Sequence, residues 1–140
     1  MFRGWLADIV ARWPRFPMID LQTITDGRGK LVVIEKLDFP IKRVYYLRDV
    51  VSKRGGHAHR TLRRVMVAVH GSFSLTMRSA DGYTDFIMAN PSKGQIIEPM
   101  TWCELSEFSK DAVCLVLASA EHDEADVIRD FVEFKRLIRK

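Results

Sequence analysis

Arg54-Gly55-Gly56-His57-Ala58-His59 is the stretch whose reading decides the fold. His57 and His59 stand one residue apart. On a strand, residues i and i+2 project from the same face, so this spacing sends both imidazoles into whatever that face encloses. Gly55 and Gly56 before them allow a sharp entry or the close approach of a ligand. A lone histidine is ordinarily structural. A pair at strand spacing behind a double glycine points to a site.

The surrounding chain is also strand-like. Lys30 to Leu37, Arg43 to Val50, Arg64 to Met77, Tyr83 to Met88, Gln95 to Glu98 and Ala112 to Ser119 are short segments rich in Val, Ile, Leu and aromatics. Turn signals separate them: Asp26-Gly27-Arg28-Gly29, Arg54-Gly55-Gly56, Asp81-Gly82 and Pro91-Ser92-Lys93-Gly94. Phe73, Leu75 and Met77 alternate with Ser72, Ser74 and Thr76, which is period two with one buried face. Many short strands at short spacing predict a sandwich or closed barrel.

Both ends read as helical. Leu6, Ile9, Val10 and Trp13 follow the spacing of one helical face, and Pro14 and Pro17 end the run. Asp123 to Lys140 carries acids at its start and bases at its end, which suits a helix dipole. No repeat or linker interrupts the chain. The expected organisation is one domain over 1–140: an N-terminal extension at 1–17, a β-barrel at 18–121 and a C-terminal helix at 122–140.

A chain of 140 residues suits one core rather than two. No apolar run approaches the roughly 18 residues that span a bilayer. Arg3, Asp8 and Arg12 break up the apolar core a signal peptide needs, so a cytoplasmic address is expected. Cys103 and Cys114 have neither metal-knuckle nor redox-pair spacing and are expected as reduced thiols. The net charge of +4 favours an anionic partner such as a phosphorylated small molecule. Nucleic acid is not expected, because the bases are scattered and no DNA-binding motif is present.

The histidine pair resembles the first motif of the cupin superfamily. There a Glu follows the pair and usually helps hold a metal. Here Arg63 and Arg64 occupy the two candidate positions, and cations there argue against a metal. The second cupin motif is also altered: Pro99 begins it, but Thr101 and Glu104 fill its other two positions.

Further segments carry a closer resemblance. They are Asp26-Gly27-Arg28-Gly29, Ile41-Lys42-Arg43-Val44-Tyr45-Tyr46, the histidine stretch, Phe108-Ser109, Val116-Leu117-Ala118-Ser119 and Ile128-Arg129-Asp130-Phe131. In this order, from about Ile19 to Phe134, they resemble the WxcM-like nucleotide-sugar 3,4-ketoisomerases. That resemblance implies a mainly β fold, a dimeric cupin jelly-roll barrel. It implies movement of a ketone from C4 to C3 of dTDP-4-keto-6-deoxyglucose, without metal or organic cofactor. The product would serve amino-sugar synthesis for bacterial surface polysaccharides or antibiotics.

The residue types fit that chemistry. Histidine titrates near neutrality and suits proton removal next to a carbonyl. His57 is the leading base and His59 its partner, with the order open. Tyr45 resembles a family active-site tyrosine. Arg28, Arg43 and Arg54 match family arginines, which either clamp a diphosphate and stabilise an enediolate or form surface ion pairs. Arg64, Trp102, Cys103 and Glu104 complete the candidate substrate-binding set, with Trp102 either core or ligand wall. Arg64 stands where the family usually has Gln, and Cys103 where it usually has His or Arg. Gln95-Ile96 replaces a common Leu-Tyr pair, and His122 a Tyr. These departures leave the C4 configuration of the product open. They also keep two other readings: a nucleotide-sugar-binding cupin without turnover, and a metal-dependent cupin using Glu104.

Overall fold

The computed structural model describes residues 16–139. Twelve strands and one helix follow in order. They are β1 (Met18–Asp20), β2 (Gln22–Asp26), β3 (Gly29–Val33), β4 (Arg43–Arg48), β5 (Arg54–His59) and β6 (Arg64–His70). Then come β7 (Phe73–Ser79), β8 (Gly82–Met88), β9 (Lys93–Ile97), β10 (Trp102–Ser106), β11 (Val113–Ala118), β12 (Val127–Ile128) and α1 (Phe131–Ile138). One five-stranded sheet has the order β1-β9-β6-β11-β4 and the other β12-β5-β10-β7-β8. Strands β2 and β3 form a separate hairpin. All the pairings are antiparallel, and the chain crosses repeatedly between sheets, as in the cupin jelly roll.

Side-chain alternation builds the interior. On β6, Met66 and Ala68 join Phe73, Leu75, Met77, Leu105, Cys114 and Val116 in the main core. Val65 and Val67 point the other way and pack with Leu21 and Phe39, so β6 is covered on both faces. This explains why β6 reads as a continuous apolar run while β7 alternates. A third cluster of Ala58, Trp102, Ile128 and Phe134 seats α1 behind the histidine strand.

Several sequence expectations change in extent. The run from Arg64 to Met77 is two strands, turned at Gly71 and Ser72, where the Ser72 N–H donates to Ser109 Oγ at 2.9 Å. Strand β3 ends at Val33 rather than Leu37, and Lys36 adopts a left-handed φ of 56°. The helix expected at Asp123 begins only at Phe131, where Asp130 Oδ1 caps the Val132 N–H at 2.9 Å. Before it, Glu124–Asp126 form a 3-10 turn and β12 pairs with β5. The acids at 123–126 therefore serve a turn and the barrel rather than a helix dipole. The short strands β1, β2, β10 and β12 were not anticipated as strands. The helix expected within 1–17 lies outside the described residues. No helix among the described residues is long and apolar enough to cross a membrane.

One glycine fixes how the histidine strand meets its neighbour. Gly55 has φ +84°, and a Cβ there would sit 2.7 Å from the Cys103 carbonyl oxygen. The register of β10 against β5 shifts at this point, between Cys103 and Glu104. Gly55→Ala is expected to destabilise the fold by about 2 kcal/mol or more, because both the backbone conformation and the contact are lost. A urea-unfolding midpoint unchanged from the parent would contradict this.

Candidate active site

Strands β4 and β5 and the segment after β11 enclose an open pocket of about 450 Å³. Its wall includes Arg43, Tyr45, Arg54, His57, His59 and Arg129. Alternation puts Arg43, Tyr45 and Leu47 of β4 on the pocket side, as it does His57 and His59 of β5. The two imidazoles meet edge to face, with centroids 5.1 Å apart at 80°. Their strand is pinned on both sides. The Met100 N–H donates to the His59 carbonyl at 2.7 Å, and the Arg60 N–H donates to the Asp126 carbonyl at 2.8 Å.

Asp126 organises the His59 end. Its Oδ1 accepts from the Thr61 N–H at 2.9 Å and from the Thr61 hydroxyl at 2.8 Å. Its Oδ2 accepts from the Leu62 N–H at 3.2 Å and lies 3.5 Å from His59 Nδ1. This carboxylate therefore sets the orientation of the His59 ring and leaves its other nitrogen for the pocket. His57 Nδ1 is buried without a hydrogen-bond partner.

Both rings are held neutral. Burial is the main cause, and the positive charge of Arg64 the next; together they lower each histidine to about 4. For His59, Asp126 opposes this but does not outweigh it. At neutral pH the pair thus presents two free bases rather than imidazolium ions.

The rest of the pocket is cationic. Arg43, Lys53, Arg54 and Arg129 line it, and none of its lining residues is acidic. Lys53 pairs with Glu104 at 3.2 Å, and Arg129 with Glu124 at 2.7 Å. Arg43 lies over the Tyr45 ring at 4.6 Å. Neither Arg43 nor Arg54 has a carboxylate partner among the described residues. They are the cations available to an anionic ligand.

The structure thus brings together five of the residues singled out in the sequence: Tyr45, His57, His59, Arg43 and Arg54. Arg64 and Cys103 lie behind them, lining a smaller cavity of about 80 Å³ that His57 also borders. Arg64 Nη2 is 3.8 Å from Cys103 Sγ. Burial raises the Cys103 thiol pKa, so Cys103 stays protonated.

Three residues fall elsewhere. Arg28 is exposed on the β2–β3 hairpin, paired with Asp26 at 2.7 Å, and does not reach the histidine pocket of its own chain. Trp102 is core: it packs against Phe131 and Phe134 at 5.1 and 5.5 Å. Glu104 is held by Lys53, not by the histidines. Among the described residues no three His, Cys, Asp or Glu side chains gather as a metal-ligand set. Arg63, a second cation of the motif, faces outward to Asp38 and Glu98 at 2.9 and 2.8 Å. Asp126, Lys53, His122 and Arg129 were missed as site residues. The run Ile128-Arg129-Asp130-Phe131 and the departure at His122 were the signals pointing near them; the contact of Asp126 with His59 spans 67 positions and has no local trace.

Fold and pocket together define a cupin jelly roll with two histidines set side by side in a pocket lined by cations. Residues 15–139 match the family model described as FdtA: WxcM-like, C-terminal, and the chain belongs to that family of sugar 3,4-ketoisomerases. It is 38% identical over 128 residues to TDP-4-oxo-6-deoxy-alpha-D-glucose-3,4-oxoisomerase of Aneurinibacillus thermoaerophilus, covering 88% of this chain and 92% of that protein. A histidine mutant of the 3,4-ketoisomerase QdtA from Thermoanaerobacterium thermosaccharolyticum, solved with TDP-4-keto-6-deoxyglucose, superposes with a TM-score of 0.85 at 32% identity. That match covers 91% of this chain and 96% of that one. The TDP-quinovose 3,4-ketoisomerase WlaRB from Campylobacter jejuni gives a TM-score of 0.82 at 35% identity, covering 89% and 99%.

The histidine pKa values predict a pH dependence of stability. Unfolded rings titrate near 6.5, while the folded rings titrate at about 4. Between these values the unfolded chain binds protons that the folded chain refuses. Stability from this source is complete above about pH 6.5 and is lost as pH falls toward 4. In Arg64→Gln both rings should titrate closer to 6.5 in an NMR titration, and the acid loss of stability should flatten. Unmoved ring pKa values in the variant would remove Arg64 as a cause.

Proposed function

We propose that the pocket moves the keto group of a dTDP-4-keto-6-deoxyhexose from C4 to C3 by histidine-mediated proton transfer. The observation that carries this reading is the pair of neutral, co-facing imidazoles in a pocket whose unpaired side chains are cationic. The C4 carbonyl acidifies the C3 proton. One imidazole takes that proton and an enediolate forms across C3 and C4, with negative charge on O4. Transfer of the O3 proton to O4, with return to C4 of the proton taken from C3, leaves the ketone at C3 and a hydroxyl at C4. Atoms and electrons balance without any oxidant.

His57 is the base that takes the C3 proton and becomes an imidazolium, and that proton returns to C4 by way of the adjacent His59, oriented by Asp126. The Tyr45 hydroxyl donates to a sugar oxygen. Arg43 and Arg54 hold the diphosphate, for which a bidentate guanidinium suits better than an ammonium. Arg28, exposed in its own chain, reaches a substrate only if a second copy supplies the rest of the pocket. A homodimer acting in the cytoplasm, supplying deoxyamino-sugar synthesis, is the setting proposed for the enzyme.

Incubation with dTDP-4-keto-6-deoxyglucose in deuterated water, followed by NMR, tests the reading. Deuterium at C4 and a 3-keto product are expected. A sugar recovered unlabelled and unchanged would sink it, and tight binding without exchange would leave a nucleotide-sugar-binding protein instead. Undiminished turnover is expected after chelation, and its loss would favour the metal-dependent reading.

Two variants divide the roles. His57→Asn should lose about 10²–10⁴-fold in kcat while still binding dTDP. Asp126→Asn should lower kcat more than it changes KM, because a positioning residue acts through the His59 ring. Equal kcat in His57→Asn and the parent would overturn the assignment.

A further inference from the structure

Arg64 is the most anomalous residue of the barrel. It begins β6 on the inward face, next to Met66, and is only 3% exposed. Its Nε has no hydrogen-bond partner, and its Nη2 reaches only the Cys103 sulfur at 3.8 Å. No carboxylate among the described residues pairs with it, whereas its neighbour Arg63 takes both Asp38 and Glu98. A buried guanidinium left without counter-charge is strongly unfavourable.

Space for a counter-charge lies beside it. The cavity of about 80 Å³ is bordered by Arg64, His57, Cys103, Tyr45 and Arg54, with apolar groups such as Met66, Leu105 and Val116 completing its wall. Its polar wall is rich in donors. Arg64 offers N–H groups and no acceptor, and His57 Nδ1 is buried with no partner. The volume admits a small ion or a few waters and is too small for a sugar ring. Tyr45, Arg54 and His57 line both this cavity and the main pocket, which gives a route of entry.

We propose that the barrel interior beside Arg64 is a binding site for one small monovalent anion of halide size. A water molecule would satisfy an N–H but leave the charge uncompensated. An anion satisfies both. The site adjoins the main pocket through Arg54 but centres on Arg64, which does not line that pocket, and it does not depend on the isomerase reading.

Chloride and bromide are the probes. Melting of the full chain is followed against chloride concentration, with gluconate holding ionic strength constant, because gluconate is too large for the cavity. Chloride about tenfold above its Kd should raise Tm by roughly 3–5 °C over gluconate. Arg64→Gln and Arg64→Met should lose that difference, and either should match or exceed the parent's Tm in gluconate. Crystals of the parent grown with bromide should show an anomalous peak within hydrogen-bond distance of the Arg64 guanidinium. If Arg64→Met fails to fold, the bromide map and the Arg64→Gln series still decide. Equal Tm in chloride and gluconate together with a cavity free of bromide would overturn the proposal, as would an Arg64→Gln protein that keeps the full chloride response.

Discussion

Two imidazoles, His59 buried and His57 half-buried, beside a guanidinium without a carboxylate partner stay neutral, and the rest of the structure is arranged around that constraint. Burial alone disfavours imidazolium, and Arg64 adds to it for both rings. The price is a barrel interior holding polar groups where only apolar ones would be cheap. The scaffold withstands it because strand β5 is fixed from several directions. Gly55 lets β5 pass close to β10, β12 adds a two-residue bridge on the other edge, and α1 closes the far face through Phe134.

Charge is sorted in space by strand alternation. Arg63, just before β6, reaches the outer carboxylates of Asp38 and Glu98, while Arg64, the first residue of β6, turns into the core. The same rule keeps Glu104 away from the histidines while Cys103 lines the inner cavity. Asp126 is the exception: among the described residues it is the carboxylate that lies within salt-bridge distance of one of the two rings, 3.5 Å from His59 Nδ1. Its backbone and hydroxyl partners at Thr61 and Leu62 stabilise its anionic form and hold it at the base of His59. It orients the ring without making it cationic.

What the sequence made legible follows from range. The i, i+2 histidines and the alternation of β7 are local patterns, and the backbone period alone assigns their faces, whereas Arg43 and Arg54 stood out only through the resemblance. The family segments supplied the barrel and the proton-transfer role. Asp126 was read as part of a helix start because three acids crowd that stretch. Nothing near it shows that β12 would dock on β5 and carry the carboxylate to His59. Trp102 looked equally suited to core or ligand wall; the aromatic residues of α1, some thirty positions later, decide for core. Arg64 and Cys103 were each visible as departures, but their contact was not.

That contact changes the meaning of both residues. In the resembling family a neutral Gln is usual at position 64 and a cationic His or Arg at 103. This chain carries the cation at 64 and the neutral side chain at 103, and the two touch across the barrel, from β6 to β10. The positive charge thus lies on the interior side of the histidine pair, beside the small cavity. From there it still repels protons from both rings. A charge placed this way acts on the bases through the field rather than through contact, and its strength depends on whether the small cavity beside it holds an anion.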